Sequence, residues 1–421
     1  MKKTLLLSLI LINLNAAQIT KLLDAVSSIP DTKIDNLMVK EAKTNKKSVE
    51  ASLMPTLTLN ASMEHFNSPA SLKPLTPTLS ASLIQTNSAI PFSKNILKVG
   101  FNVSMPVFIK EIYDNKTKIS HLINSTKYQA KINLLKREAL LITLVSKLNY
   151  LYSLKKALET QKNSIQETLK GIKVGVKVGR IPEFKLLRLK DSLNNIDISI
   201  SNINTNIYDT QAKIYNLTQI KTTAPVEFTS NQIKKGEFIY LKPLKEQLKA
   251  SEYDIKIAKD KNLPKLLLKI QGYRAYAKAY NNDASIHEDL ASVGIYISWD
   301  VFNKKNSSTV QKAKISKLKS SLQIQKTLIE LNSQITSINE SLKELKKAVL
   351  QAKNSIELKQ QLLKSAKTAF KLNTMTVDEY LKYEDDLAKA KANLANLIAT
   401  KNSLLAQKAL IYGNNLKKVF K

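Results

Sequence analysis

The sequence predicts a mainly α-helical chain with four membrane-length β-strands, laid out as a tandem repeat of helix–strand–strand–helix–helix. Three observations carry this. Between Gly294 and Gly413 there is no proline and no glycine. Compact globules draw on both residues for their turns, whereas long helices do without them. The segment Val99–Phe108 returns as Val293–Phe302, 194 positions on, and the same offset holds to Leu217 and Ile411. A unit kept at constant length across two copies is a structural repeat. The third observation is alternation. Leu57, Leu59, Ala61 and Met63 are interleaved with Thr58, Asn60 and Ser62, and Leu97, Val99, Phe101, Val103, Met105 and Val107 with Lys98, Gly100, Asn102 and Ser104. A period of two places one apolar and one polar face on a strand.

Taken in order, residues 1–17 read as a secretory signal. Lys2 and Lys3 precede the apolar run Leu5–Ile12, which is too short to span a bilayer, and Asn15-Ala16-Ala17 supplies the small residues of a cleavage site. The chain has no cysteine, which excludes a lipid anchor on cysteine, disulfides and thiol chemistry. The first repeat covers residues 18–219. A helix from near Asp31 ends before Pro55, strands follow at about 56–66 and 97–108, and long helices at about 109–178 and 182–217. A polar segment with Pro69, Pro74, Pro77 and Pro91 reads as the loop between the strands. Residues 220–242 link the copies. The second repeat, 243–413, has a helix ending at Leu263-Pro264, strands at about 265–276 and 292–302, and long helices at about 304–373 and 377–412; residues 414–421 form a tail. Gly272 is expected to mark a β-bulge, because the alternation of its strand changes phase there.

The strands match the 9–11 residues that a tilted strand needs to cross a membrane. Phe108, Tyr273, Trp299 and Phe302 near their ends are expected as membrane-interface aromatics, against outer-membrane lipid. Four strands cannot close alone, and an open edge in lipid leaves backbone groups unpaired at several kcal/mol each. The barrel is therefore expected to be shared between copies. Leu134, Leu141, Val145, Leu148 and Tyr152, and in the second copy Leu318, Leu322, Leu328, Leu331 and Ile335, recur at helical spacing and form helix–helix seams.

The net charge is +32, which raises a nucleic-acid reading. The excess is lysine, however. Arg137, Arg180, Arg188 and Arg274 are the only arginines, and a secreted chain is separated from nucleic acid. No nucleic-acid partner is expected. His65, His121 and His287 lack metal-ligand spacing, and no phosphate loop is present, so neither enzyme chemistry, metal nor cofactor is expected.

The signal, the doubled helix–strand–strand–helix–helix plan, the proline before each outgoing strand and the Val-Gly-x-x-x-Ser-x-x-Val-Phe return strand together resemble the TolC family of outer-membrane efflux and secretion channels. The resemblance covers essentially the whole mature chain. It implies a homotrimer with a 12-stranded outer-membrane β-barrel, continued by a long periplasmic α-helical barrel, with the 220–242 linker in its equatorial region. It also implies a periplasmic adaptor protein and an inner-membrane transporter as partners. The turns between the long helices would close the periplasmic mouth and meet the adaptor, which singles out Gly179, Arg180, Asn373 and Thr374. At the constriction, where the family carries two carboxylates, this chain has Glu379 and Lys382, with Asp378 beside them; Asn373 and Met375 replace the family's turn glycine and basic residue. Glu379 has a second reading, since Thr376-Val377-Asp378-Glu379 is a capping-box pattern. Arg180 and Lys177 make the first turn basic, and contact of Arg180 with Asp378, Glu379 and Asp385 is expected to hold the mouth shut.

The functional reading that results is the passive exit duct of a tripartite efflux pump for drugs or other small molecules. Two alternatives stand beside it: the outer-membrane channel of a type I protein secretion system, and a secreted coiled-coil filament or adhesin.

Overall fold

The computed structural model describes residues 19–372 and 374–421; the signal-like start and Asn373 lie outside the described residues. The chain divides into two compact units. One comprises Lys40–Ser125 and Lys245–Leu322; the other comprises residues up to Val39, Thr126–Leu244 and Gln323–Lys421.

The first unit is built on an antiparallel sheet of β1 (Thr56–Ser71), β2 (Phe92–Phe108), β3 (Lys265–Lys278) and β4 (Ser285–Ser298), in the order 1-2-3-4. Pro55 and Pro264 stand just before β1 and β3. Because Pro264 cannot donate to a ladder, pairing starts at Lys265↔Ser298, and the return strand ends at Ser298 rather than near Phe302. Trp299 and Phe302 therefore lie beyond the sheet. The same strand starts at Ser285, earlier than the alternation indicates, because the β3–β4 register continues unbroken to Lys278↔Ser285. The segment between β1 and β2 is not all loop. It contains helix α2 (Pro77–Gln85), capped by the Thr76 hydroxyl, which accepts from the Leu79 amide.

Gly272 is not a bulge. Both ladders of β3 pass through it in register, Phe101↔Gly272 and Gly272↔Ala291. The irregularity falls instead between Pro106 and Phe108 of β2, where proline again removes a donor. Gly272 answers to a different demand: a Cβ there would meet the Phe101 ring at 2.9 Å. The ring occupies the space that the glycine leaves.

With no bulge at Gly272, parity along β3 is strict, and this overturns one assignment. Tyr273 sits with Lys269 and Gln271 on the polar face, not at the edge of the apolar one; it pairs with Gly100, where an added Cβ would meet the Tyr273 Cβ at 2.6 Å, and its hydroxyl donates to the Leu72 carbonyl at 3.3 Å. Tyr276 takes the apolar side, paired with Leu97 and His287.

Helix α1 (Pro30–Ala51) leads into β1, and α5 (Leu241–Asp260) into β3. β2 runs directly into α3 (Lys110–Lys177), and β4 reaches α6 (Lys304–Lys371) after five residues. Each of these two helices has 68 residues, about 100 Å at 1.5 Å per residue. Where they leave the sheet, Trp299 Nε1 donates to the Asn262 carbonyl at 2.9 Å and Asn306 Nδ2 to Asn262 Oδ1 at 2.7 Å. No helix among the described residues is long and apolar enough to cross a membrane.

The second unit packs α3 against α4 (Glu183–Thr218), α7 (Val377–Ile411) and the short α8 (Leu416–Val419). Leu141, Ile142, Val145 and Leu148 of α3 are fully buried, with Ile207 and Ile214 of α4 and Ala406 and Ala409 of α7. The linker and tail belong to this core. Val226, Ile239, Leu416 and Phe420 are buried in it, and linker and tail exchange backbone bonds between Thr229 and Lys421. The acid of Asp35 is held by Arg137 and by Asn133 Nδ2 at 2.8 Å.

Candidate functional site

Two parts of the chain hold the residues singled out by the sequence: the faces of the sheet, and the turns that join the long helices. On the sheet, cross-strand pairs group the side chains by face. Leu57, Val103, Ile270 and Val293 form one row across all four strands, and Leu59, Phe101, Gly272 and Ala291 the next. Among the described residues nothing covers the ends of these rows: Leu57 is 66% exposed, Leu59 78% and Val293 72%. The apolar row of β2, from Leu97 to Met105, is about 27 Å long at strand rise. At the tilt usual in barrels that gives a band about 20 Å tall, close to the ~25 Å of outer-membrane barrels. The opposite face carries Thr58, Asn60, Ser62, Lys98, Asn102, Ser104, Lys269 and Gln271. Among the described residues, the outer edges of β1 and β4 are unpaired.

Three aromatic residues, Phe108, Trp299 and Phe302, are exposed at the helix end of the sheet. The irregularity after Pro106 turns Phe108 to the side of Leu266, on the apolar face. Phe302 is 89% exposed, and Trp299, also exposed, keeps its indole N–H satisfied by Asn262. A partly wet, partly apolar boundary suits a ring with a satisfied polar tip.

At the first helical turn, Gly179 adopts φ +69, and the amides of Gly179 and Arg180 bond the carbonyls of Val176 and Gly175. This is the Schellman ending, which a left-handed glycine makes without Cβ strain. Ile181 packs back onto Gly175 and fixes the direction of the turn. At the second turn, the amide and hydroxyl of Thr374 both donate to the Ala369 carbonyl, at 3.1 and 3.0 Å. Thr376 then caps α7: its hydroxyl accepts from the Glu379 amide, and the Glu379 carboxylate accepts from the Thr376 amide at 2.8 Å. These bonds hold the exposed Glu379 carboxyl below its ordinary pKa. Glu379 is thus occupied as a cap in this state.

The expected contact of Arg180 with the acids of the other turn is absent among the described residues. Asp378 pairs with Arg188 Nη2 at 3.3 Å, and Asp385 with Lys389 at 2.5 Å. Arg188 lies in the second turn of α4, so the acid reaches into that helix rather than across to the connecting turn. Lys382 is exposed and borders the same depression as Arg188, Asp191, Asp378 and Asp385. Mixed charge, not a ring of acid, lines this part of the chain.

One cluster here was not anticipated from the sequence. Tyr380 is fully buried, stacked on Phe370 with centroids 4.8 Å apart. Its hydroxyl donates to the buried Glu384 carboxylate at 2.6 Å and meets Thr168 Oγ1 at 3.1 Å, while Ser164 also donates to Glu384. Burial, reinforced by Glu384, pushes the Tyr380 hydroxyl up to about 12. Ser164 and Thr168 are on α3, so this network fastens α7 to α3 close to the tip.

Comparison with known proteins bears on the fold. No family model matches the sequence, and no curated protein matches it. Solved structures do match. VceC, an outer membrane protein of Vibrio cholerae, superposes with a TM-score of 0.76 over 94% of this chain and 96% of its own, at 13% identity. The CmeC outer membrane channel of Campylobacter jejuni gives 0.76 over 95% and 86%, at 17% identity. The MtrE outer membrane channel of Neisseria gonorrhoeae, in its open state, gives 0.74 over 94% and 89%, at 12% identity. The chain has the fold of the TolC-like outer-membrane channels. That fold accounts for a mostly helical chain with one small antiparallel sheet, the combination that a water-soluble coiled-coil filament would not require.

Proposed function

We propose that this protein is the outer-membrane exit duct of a tripartite efflux pump. Three chains form the pore; their sheets close into one 12-stranded barrel in the outer membrane, and their long helices continue it into the periplasm. The observation that carries this reading is a largely apolar face, interrupted in the row of Ala61 and Val99 by the Arg274–Asp289 ion pair, that the described residues leave exposed between two unpaired strand edges. Lipid covers such a face, and neighbouring copies complete the edges, which in hydrocarbon would otherwise cost several kcal/mol per unpaired group. The helices agree. Ile315, Leu318, Leu322 and Ile329 form an exposed apolar stripe at helical spacing on α6, the surface that a neighbouring helix of a second copy would cover.

In this reading the duct is passive. An inner-membrane transporter supplies the energy and a periplasmic adaptor meets the turns at Gly179–Arg180 and Asn373–Thr374. Glu379, Asp378 and Lys382 stand at the mouth; Glu379 alternates between cap and pore lining as α7 frays and reforms. Deleting the gene in its own host tests the assignment. Efflux predicts increased susceptibility to several unrelated toxic compounds and retention of a fluorescent efflux substrate, both restored by the intact chain. Unchanged susceptibility with loss of one secreted protein would contradict it and favour the secretion channel.

A further inference from the structure

The polar face of the sheet is not open along its whole length. After β1, the chain turns inward instead of continuing away from the sheet. Leu72 is fully buried against Ile96 and Ala275, side chains that parity places on the polar face with Lys98 and Tyr273. The Tyr273 hydroxyl donates to the Leu72 carbonyl. The next residue, Lys73, reaches Glu288 of β4 at 2.6 Å. Glu288 lies in the row Ser62–Lys98–Ala275–Glu288, so residues 72–73 cross that row from β2 to β4. Two strand spacings are about 10 Å. The loop that follows is tied to the other hairpin, because Asn281 Nδ2 donates to the Ser88 carbonyl at 2.9 Å and Asn281 Oδ1 accepts from the Ile90 amide at 3.2 Å.

We infer that residues 72–73 form a strap across the inner wall of the duct near its outer end, a second constriction distinct from the periplasmic mouth. The inference rests on the channel reading above, in which the polar face is the lumen wall and three straps converge on one pore. The Leu72 amide bonds the Pro91 carbonyl, the rung that follows Ser71↔Phe92, so the strap departs from the end of the β1–β2 ladder. Beyond that rung it is held by buried Leu72, by the Tyr273 hydroxyl, by the Ser71 hydroxyl on the Lys73 carbonyl and by the Lys73–Glu288 ion pair, and the ion pair is the contact that charge reversal removes most cleanly.

The absence of cysteine allows a direct test, since one introduced thiol is unique. Asn102 is exposed on the polar face, on the helix side of the strap row. In intact cells, the Asn102→Cys chain is labelled from outside with a small maleimide or with a bulky polyethylene-glycol maleimide. The strap predicts that the small reagent reacts at least tenfold faster than the bulky one. Adding Lys73→Glu or Glu288→Lys brings the two rates together, and combining both reversals restores the difference. Equal rates in the Asn102→Cys chain itself, or a ratio that Lys73→Glu leaves unchanged, would overturn the strap while leaving the channel intact. Failure of the channel reading looks different: Leu59→Cys, on the apolar face, would then react as fast as Asn102→Cys, and the strap would fall with it.

Discussion

Val293→Arg separates a lipid-facing sheet from a water-facing one. Val293 lies in the row Leu57–Val103–Ile270–Val293, near the middle of the apolar band, and is 72% exposed in the single chain. If water covered that face, replacing so exposed a residue would change stability by no more than about 0.5 kcal/mol. In lipid, an arginine at the midplane of a barrel costs about 2–4 kcal/mol. Three copies would share one barrel, so the assembly would lose about 6–12 kcal/mol, comparable to the whole stability of an ordinary domain. The neighbouring Ser292→Arg is the internal control: it lies one residue away on the same strand, paired with Gln271 on the polar face. Denaturant unfolding of the protein reconstituted in vesicles, with outer-membrane yield as a second readout, should show a severe defect for Val293→Arg and a small one for Ser292→Arg. Equal effects of the two substitutions would refute a one-sided lipid face.

Tyr380→Phe takes the hydroxyl donor from buried Glu384 and should cost about 1–3 kcal/mol, read as a lower melting temperature in detergent. Ser164→Ala, which leaves the tyrosine donor in place, should cost less. Glu138 is 3% exposed, and burial raises its carboxyl from 4.5 to about 7 against the pull of Lys417. A raised carboxyl contributes fully below its unfolded pKa, and that contribution is lost as pH rises through the folded value. Glu138→Gln should therefore gain about 3 kcal/mol on the parent chain between pH 4 and pH 8, seen as diverging melting temperatures. Phe420→Ala should destabilise by about 3–5 kcal/mol, because the ring is fully buried and meets Phe228 edge-on at 5.8 Å; denaturant titration would show it. Thr376→Ala removes the cap of α7 and should cost about 1 kcal/mol, with faster amide exchange confined to the first turn after Thr376.

What the sequence made legible was whatever a repeating period writes into it. The strands follow from apolar spacing, the second 68-residue helix from the lack of glycine and proline and the first from its repeat at an offset of 194, and the capping box at Thr376 can be read as four letters. Parity failed at Gly272. A glycine in a strand signals either an inserted residue or a close neighbour, and the letters alone do not say which; here the neighbour is the Phe101 ring. That single choice sent Tyr273 to the wrong face. The strap was illegible for a related reason: Leu72 and Lys73 sit among prolines and serines, and only the fold brings them to Ala275 and Glu288. Charge was the least legible feature. Arg180 and Arg188 are both near the tip, and which of them meets Asp378 is decided by the crossing of α4 and α7, not by proximity in sequence. Glu384 gave no signal as a buried acid, since its partners Ser164 and Tyr380 are 220 and 4 positions away.

The claim on which everything else depends is that copies of this chain complete one barrel. Extraction of the mature protein from membranes in mild detergent, followed by light scattering with the detergent contribution subtracted, measures it directly. A shared barrel gives three chains per particle, recovered from the outer-membrane fraction. One chain per particle, or recovery in the soluble fraction, would mean that the apolar rows pack in water, and the shared barrel would have to be abandoned.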